Sequence, residues 1–252
     1  MSKQKIYGMP RLWVHHFAER QECAGCQYPV VYRIVMEVIE ELDLVGETIL
    51  IGGAACGGGI LISTPFDAIM PNHGQCIDVA TGVKRSHPEA NVLVFGGDGD
   101  VAAIGGGAFL NAAARAEKFT LMMLNNGHYA MTGGQLAPTS VMGQITSTTP
   151  KGRDADSGYP INMAELASSI PGVGYSARGA VNSAANFQHT KRYLRKALET
   201  QNQGKGLSFL EILSACPTGW HMKPVESLKW VEEHVIPQFP LGEFKGGKSD
   251  NR

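Results

Sequence analysis

Four short, mostly apolar runs constrain the fold of this chain more than any other feature of its sequence. They cover residues 48–51, 91–95, 120–124 and 207–213. Continuous apolarity, in place of alternation, is typical of strands that are buried on both faces. Segments with helical spacing precede or separate these runs, at 29–43, 102–116 and 187–199. The pattern predicts an α/β fold, in which helices flank a parallel sheet, and a single domain that spans residues 1–252.

Two segments fall outside this alternation. Residues 127–160 are rich in Thr, Gly, Ser and Pro and show no period over 34 positions. Loops of that length are uncommon inside a domain and are often functional. The tail at 237–252 is polar and Gly-rich, so we expect it to form a loose C-terminal arm.

The composition excludes several classes of protein. The 252-residue chain has 22 Lys and Arg against 23 Asp and Glu, a net charge of −1, so it lacks the basic surface of a nucleic-acid-binding protein. The first 22 residues contain no continuous apolar stretch, and the most apolar window, 49–62, has 14 residues, five of them Gly. A bilayer span needs about 20. We therefore expect a cytoplasmic protein that binds neither nucleic acid nor membranes.

A glycine-rich turn with two carboxylates follows the second apolar run. Its sequence is GGDGD, at 96–100, and a helical segment begins after it. A turn between a strand and a helix directs backbone N–H groups at a phosphate. The spacing Gly97-x-Gly99-x-x-Ala102 also satisfies the loose dinucleotide-binding fingerprint. That kind of site, however, would place the Asp98 carboxylate beside a pyrophosphate with no cation between them.

A divalent cation resolves this conflict. Mg²⁺ prefers hard oxygen ligands, takes one or two of them from the protein, and completes its shell with phosphate and water oxygens. Asp98 and the side-chain amide of Asn126 are 28 residues apart and follow consecutive predicted strands. Both would reach the carboxyl edge of the sheet, where ligands of α/β proteins bind. The sequence therefore predicts a site for magnesium and a diphosphate.

The residues around this site resemble those of a known family. They are similar to the thiamine diphosphate motif, here GDGDVAAIGGGAFLNAAARAEKFTLMMLNN, which is followed by GHYAMTGGQLAPTS. With HGQCIDVATGVK upstream and PVESLKWVEEHVIPQFPLGEFK downstream, most of the chain resembles the β subunits of 2-oxoacid:ferredoxin oxidoreductases. Among these, the branched-chain 2-oxoacid enzymes look most similar. The resemblance implies the thiamine diphosphate-binding fold.

The resemblance also implies roles for individual residues. Three groups would bind Mg²⁺: Asp98, Asn126 and the main-chain carbonyl of His128. Three residues would lie near the diphosphate: Gly97, Gly99 and Thr132. His73 would donate to a cofactor phosphate or to the substrate carboxylate, and the alternative is a structural hydrogen-bonding role. Ala130 stands where the family usually has Gly.

Four of the five cysteines form a candidate metal site. Cys23 and Cys26 are a C-x₂-C pair, whereas Cys56 and Cys216 are 160 residues apart. The spacing alone leaves three interpretations open: an iron–sulfur cluster, a zinc site, or a redox pair with two buried thiols. The resemblance implies a [4Fe–4S] cluster bound by all four. Cys76 is left over and is predicted to be a small buried residue.

The expected function is oxidative decarboxylation. The resemblance implies conversion of a 2-oxoacid to acyl-CoA and CO₂ with thiamine diphosphate, and transfer of electrons through the cluster to ferredoxin. It also implies an α subunit that completes the thiamine site, and possible γ and ferredoxin-like δ subunits. Between Cys56 and His73 there is no Lys or Arg, which favours a substrate with an apolar side chain. Two alternatives remain: a non-redox thiamine diphosphate decarboxylase or carboligase subunit, and a zinc-stabilised assembly subunit without catalytic function.

Overall fold

The computed structural model describes residues 10–14 and 22–247. Within these ranges the strands are β1 Thr48–Gly52, β2 Asp67–Ile69, β3 Asn91–Gly97, β4 Thr120–Asn125, β5 His128–Tyr129, β6 Gln135–Leu136, β7 Val173–Ala180, β8 Leu207–Leu213 and β9 Gly242–Lys245. Seven of them form one sheet in the order β2-β1-β3-β4-β8-β7-β9, and β5 and β6 form a separate antiparallel hairpin. Neighbouring strands of the large sheet are parallel except for β7 and β9.

The α-helices in the described ranges are α1 Tyr28–Glu41, α2 Gly59–Ser63, α3 Cys76–Ser86, α4 Gly106–Ala114, α5 Met163–Ser169, α6 Ala184–Asn202, α7 Pro224–Trp230 and α8 Ile236–Gln238. A 3₁₀ turn covers Cys56–Gly58, and π-helical turns cover Gly99–Ile104 and Val231–Val235. Pro29 lies in the first turn of α1, where its missing N–H costs no helical hydrogen bond. None of the described helices is long and apolar enough to cross a membrane.

Helices cover both faces of the sheet. In β4, Met122 and Leu124 pack in one core with α1 and α6. Leu121 and Met123 point to the opposite face and pack with α3, α4 and α5. All six residues of this strand are buried, which is why its apolar run does not alternate. The four predicted strands and the α/β class are confirmed.

The C-terminal segment corrects one prediction. The loose arm expected at 237–252 is wrong for its described part, because β9 is an antiparallel edge strand whose Glu243 is paired with Ala177 of β7. Two aromatic residues of the tail, Phe239 and Phe244, lie 5.3 and 5.1 Å from the guanidinium of Arg178, measured to the ring centres. These apolar contacts attach a segment whose composition is otherwise polar. Residues 248–252 lie outside the described ranges.

Candidate functional site

The two strand ends predicted to bind magnesium lie side by side. β3 ends at Gly97 and β4 ends at Asn125, and Gly97 is paired with Leu124 in the parallel ladder. Asp98 and Asn126 follow directly, and both are buried. They line a cavity of about 200 Å³, which we call the Asp98 cavity. The sheet thus brings together the two side chains that the sequence pairs across 28 positions.

The Asp98 carboxylate is surrounded by donors but not by cationic side chains. Its Oδ1 accepts a hydrogen bond from the Gly99 N–H (2.9 Å), and its Oδ2 accepts one from the Thr139 hydroxyl (2.7 Å). Burial raises the pKa of Asp98 to about 7, because desolvation penalises its charged form. No Lys or Arg is among the described residues that line the Asp98 cavity. A divalent cation would supply the missing positive charge.

The loop after β4 is fixed by residues from the long irregular segment. Gly127 adopts a φ of +67°, and its carbonyl accepts hydrogen bonds from Ser140 Oγ (2.5 Å) and Gln144 Nε2 (3.1 Å). The Asn126 side-chain oxygen accepts a bond from the His128 N–H (3.3 Å). These contacts fix the backbone between the two residues that the resemblance makes magnesium ligands.

Asp100 organises the opposite side of the cavity, a role that the sequence reasoning missed. Its side chain is completely buried and accepts hydrogen bonds from the N–H groups of Gly74 (2.8 Å) and Gly97 (3.2 Å). His73 Nδ1 lies 2.7 Å from Asp100 Oδ1. A side chain at Gly53 would begin 2.2 Å from Asp100 Oδ2, so the turn after β1 also packs against this carboxylate. The sequence contained a signal for this role, because Asp100 is the second Asp of the GGDGD turn.

The remaining predicted residues lie at the wall and mouth of the Asp98 cavity. Gly97 and Gly99 line it, and so does Thr132. A Cβ at Gly99 would lie 2.3 Å from the Tyr129 ring, so only Gly permits this packing. Thr132 is exposed, and its hydroxyl donates to Gln135 Oε1 (2.7 Å). Ala130 lines the same wall.

The four predicted cysteine ligands line one second cavity, of about 740 Å³, which we call the cysteine cavity. Burial raises the pKa of Cys26 to about 12 and that of Cys216 to about 11, and neighbouring thiols add to both shifts. Burial likewise raises the pKa of Cys56, with Cys23 as the next cause. In their deprotonated form these buried cysteines would need a cation to balance their negative charge. Cys76 lies in the core on the other face of the sheet and is completely buried, as predicted.

The two cavities share a wall. Tyr28, Cys56 and Asn126 line both. The loop after Cys216 is attached to the loop that follows β4. The contact is made by Trp220, whose indole N–H donates to the Asn126 carbonyl (3.0 Å). The predicted diphosphate site and the predicted cluster site are therefore adjacent parts of one structure.

Comparisons with known proteins agree with this geometry. Residues 61–212 match the family model of the C-terminal thiamine pyrophosphate-binding domain of thiamine pyrophosphate enzymes. Ketoisovalerate oxidoreductase subunit VorA of Methanothermobacter marburgensis is 34% identical over 90% of this chain and 48% of its own length. 2-Oxoglutarate synthase subunit KorB of Archaeoglobus fulgidus is 34% identical over 90% of this chain and 77% of its own. The β subunit of 2-oxoacid:ferredoxin oxidoreductase 2 of Aeropyrum pernix is 30% identical over 90% and 70%. The chain belongs to this oxidoreductase family.

A solved structure supports the same fold. A 2-oxoglutarate:ferredoxin oxidoreductase from Magnetococcus marinus, with 2-oxoglutarate, coenzyme A and succinyl-CoA bound, superposes with a TM-score of 0.73 over 96% of this chain and 88% of that one, at 21% identity. This oxidoreductase chain spans about half the length of the ketoisovalerate relative. Relatives named for ketoisovalerate and for 2-oxoglutarate are equally identical to it, so identity does not decide the substrate.

The family match covers most of the residues that line the Asp98 cavity and none of the four cysteines that line the cysteine cavity. Residues 61–212 contain His73, Asp98, Asn126 and Thr132 but none of the four thiols that line the cysteine cavity. The thiamine diphosphate assignment of this oxidoreductase chain therefore rests on the family as well as on geometry. The cluster assignment rests on the cysteine cavity alone.

Two further residues that support the Asp98 cavity lie in the irregular segment 127–160 and were not predicted. Thr139 binds Asp98 from 41 positions away. Arg153 is buried, and its guanidinium donates to four carbonyl oxygens, those of Ala137, Pro138, Ser140 and Gly158. Arg153 thereby fixes the backbone on both sides of Thr139. No local periodicity signals such long-range contacts.

Proposed function

We propose that this chain is the thiamine diphosphate-binding β subunit of a 2-oxoacid:ferredoxin oxidoreductase. The complete enzyme converts a 2-oxoacid and CoA to acyl-CoA and CO₂ and passes two electrons, one at a time, through a [4Fe–4S] cluster to ferredoxin. The observation that carries this proposal is the shared wall between the Asp98 cavity and the cysteine cavity. A redox decarboxylase needs its cofactor next to an electron carrier, whereas a non-redox enzyme does not need the thiols.

The donor set of the Asp98 cavity fits magnesium and a diphosphate. A buried carboxylate and a buried amide, Asp98 and Asn126, provide hard oxygen atoms, and the main-chain carbonyl of His128 is the third proposed ligand. Backbone N–H groups near Gly97 and Gly99 begin a helical turn, where an anion is favourable. Because the described lining contains no Lys or Arg, the diphosphate depends on the cation for its charge balance.

The cysteine cavity fits a cluster better than a single zinc ion. A tetrahedral zinc site would bring four sulfurs to within about 2.3 Å of one point. In the described part of the chain, no three His, Cys, Asp or Glu side chains lie close enough together to hold one metal ion. Cys23, Cys26, Cys56 and Cys216 instead line, with other residues, a cavity of about 740 Å³. This wider arrangement supports the [4Fe–4S] interpretation over the zinc-stabilised assembly subunit.

The chain's own residues bind and orient the reacting groups. When bound, thiamine diphosphate supplies the carbon nucleophile that makes decarboxylation possible. Asp98 and Asn126 would hold its magnesium, and the Asp100 carboxylate lies 2.7 Å from Nδ1 of His73. His73, at the wall of the Asp98 cavity, would donate to a phosphate or to the substrate carboxylate. Tyr28, buried between the cavities, excludes water from the path between cofactor and cluster.

A partner subunit completes the site. Asp98 and Asp100 are the only carboxylates among the described residues that line the Asp98 cavity, and both are hydrogen-bonded at its diphosphate end. Activation of thiamine needs another carboxylic acid at the pyrimidine ring, which the α subunit would provide. Met131 and Met70, 66% and 55% exposed, lie at the cavity walls, where a partner would bury them. Ferredoxin, and γ and ferredoxin-like δ subunits where present, would carry electrons onward.

The proposal is tested on the native complex, purified without oxygen. We expect thiamine diphosphate, magnesium, iron and acid-labile sulfide in the complex, and reduction of ferredoxin or a viologen that requires both a 2-oxoacid and CoA. Thiamine diphosphate without iron, together with decarboxylation that reduces no acceptor, would favour the non-redox alternative. Zinc without thiamine diphosphate would favour the assembly subunit.

A further inference from the structure

The imidazole of His128 has a buried nitrogen that the proposed mechanism does not use. Only the backbone of His128 enters the magnesium site, and its side chain points elsewhere. The residue is 2% exposed, and Nε2 has no hydrogen-bond partner among the described residues. Its ring packs edge-on against Trp220, with ring centres 6.3 Å apart. Buried polar atoms are nearly always hydrogen-bonded, so an unpartnered Nε2 indicates a hydrogen-bond partner that is bound by the complete protein.

His128 lines the Asp98 cavity, and its unpartnered nitrogen lies near Cys216 of the cysteine cavity. A Cβ built on Gly219 would lie 2.3 Å from His128 Nε2 and 3.1 Å from Cys216 Sγ. The nitrogen and the sulfur therefore lie on the same side of the Gly219 backbone, and any side chain there would separate them. Gly219 and Cys216 both line the cysteine cavity. The missing side chain at position 219 leaves room for a direct contact between the imidazole and the Cys216 corner of a cluster.

We infer that the Nε2–H of His128 donates a hydrogen bond to sulfur at the Cys216 corner of the cluster and raises the cluster's reduction potential. The inference rests on the proposed function, since it requires the [4Fe–4S] cluster. Reduction adds one electron and makes the sulfurs more negative, so an N–H donor stabilises the reduced form more than the oxidised form. No bond is broken and no proton is transferred in this step. His128 is a positioning residue that tunes electron acceptance.

The test is an EPR-monitored redox titration of the complete complex. Replacing His128 by Phe (His128→Phe) keeps a ring of similar shape but removes the donor. At a fixed solution potential, the ratio of reduced to oxidised cluster should fall about tenfold, which corresponds to about 59 mV for one electron. His128→Gln, which restores an N–H donor, should recover part of the shift. His189→Phe, on the exposed face of α6, is the matched control and should leave the potential unchanged.

A second measurement covers the case in which the Phe variant does not fold. In wild-type complex with ¹⁵N-labelled histidine, pulsed EPR of the reduced cluster should detect coupling to one histidine nitrogen. The signal should persist in His221→Asn, because His221 also lines the cysteine cavity but is exposed. An unshifted potential in a cluster-replete His128→Phe complex, or no nitrogen coupling in wild type, overturns the inference. Absence of iron and sulfide from wild type would instead refute the proposed function.

Discussion

Arg178 Nε lies 2.8 Å from Glu211 Oε2, and both side chains are completely buried. The two residues are direct neighbours on β7 and β8. The other carboxylate oxygen of Glu211 accepts a hydrogen bond from Asn125 Nδ2 (2.7 Å), and Asn125 immediately precedes the proposed magnesium ligand Asn126. Arg178 also donates to Glu165 and to the carbonyl of Pro240. The buried pair therefore connects the C-terminal segment with the strand end that carries the site.

Arg178→Met should destabilise the protein by about 3–5 kcal/mol, because it leaves a buried charge without its partner. Burial raises the pKa of Glu211, and Arg178 and Asn125 offset this only in part. Urea unfolding measures the loss. The double variant Arg178→Met/Glu211→Gln, which retains neither charge of the pair, should lose less than the single variant. Equal losses in the two variants would contradict a charge-based origin.

Asp98→Asn should weaken magnesium-dependent binding of thiamine diphosphate by at least about 100-fold. The substitution removes a charged metal ligand. By comparison, loss of a hydrogen bond to a metal ligand typically lowers metal affinity by about 10–100-fold. Thr139→Val tests the second case, since it removes the 2.7 Å hydrogen bond to Asp98 and retains the carboxylate. Isothermal titration calorimetry with and without magnesium separates the effects. Unchanged affinity in Asp98→Asn would exclude Asp98 as a ligand.

Cys216→Ala should abolish cluster binding, and Cys76→Ala should not. Anaerobic wild-type protein should be brown and contain about four iron atoms per chain. Cys216 lines the cysteine cavity, whereas Cys76 lies in the opposite core, so its variant should retain the iron and lose only about 1 kcal/mol of stability. One zinc per chain without iron or sulfide, or full cluster retention in Cys216→Ala, would disprove the assignment.

Local patterns predicted four strands with mostly apolar runs, β1, β3, β4 and β8, and missed the longest strand, β7. β7 contains Gly174, Ser176, Arg178 and Gly179, which interrupt an apolar run. Its burial depends on the pairing of Arg178 with Glu211 from another strand, and no local window contains that partner. Likewise, the tail was predicted to be loose because its composition is polar, whereas two aromatic residues beside Arg178 attach it to the sheet.

The site likewise contains residues that local patterns predict and residues whose positions depend on distant partners. Asp98 and Asn126 could be paired from the sequence because each directly follows a predictable strand, and parallel strands end at one edge. Thr139 could not, because its position depends on Arg153 and on the irregular backbone that Arg153 fixes. The four cysteines could be assigned to a [4Fe–4S] cluster only through the resemblance. Their spacing in the sequence does not reveal that the fold brings Cys56 and Cys216 to one cavity.

The preferred substrate should have an apolar side chain. No Lys or Arg occurs between Cys56 and His73, or among the described residues that line the two cavities. A second carboxylate, as in 2-oxoglutarate, would be buried without a partner from this chain, which is unfavourable. We therefore expect a higher kcat/KM for 2-oxoisovalerate than for 2-oxoglutarate in steady-state assays of the complete complex. The reverse preference would show that a partner chain supplies the missing charge.

The chain alone should be inactive even when its cluster is complete. Thiamine is activated by a carboxylic acid at the pyrimidine ring, and the two carboxylates that line the described part of the Asp98 cavity already bind backbone and hydroxyl groups. The three acidic residues of α1 are all ion-paired: Glu37 and Glu41 with Lys191 on α6, and Glu40 with Arg11. None of the three lines either cavity.

The assay mixes the purified β chain, thiamine diphosphate, magnesium, CoA and a 2-oxoacid with viologen, and then adds the α subunit. Reduction should begin only after that addition. An α subunit in which the activating carboxylic acid is replaced by the corresponding amide is the matched control: it should restore the complex and thiamine diphosphate binding but not the reaction. Viologen reduction by the cluster-replete β chain with no other polypeptide present would mean that the activating acid lies in this chain, and the subunit assignment would fail.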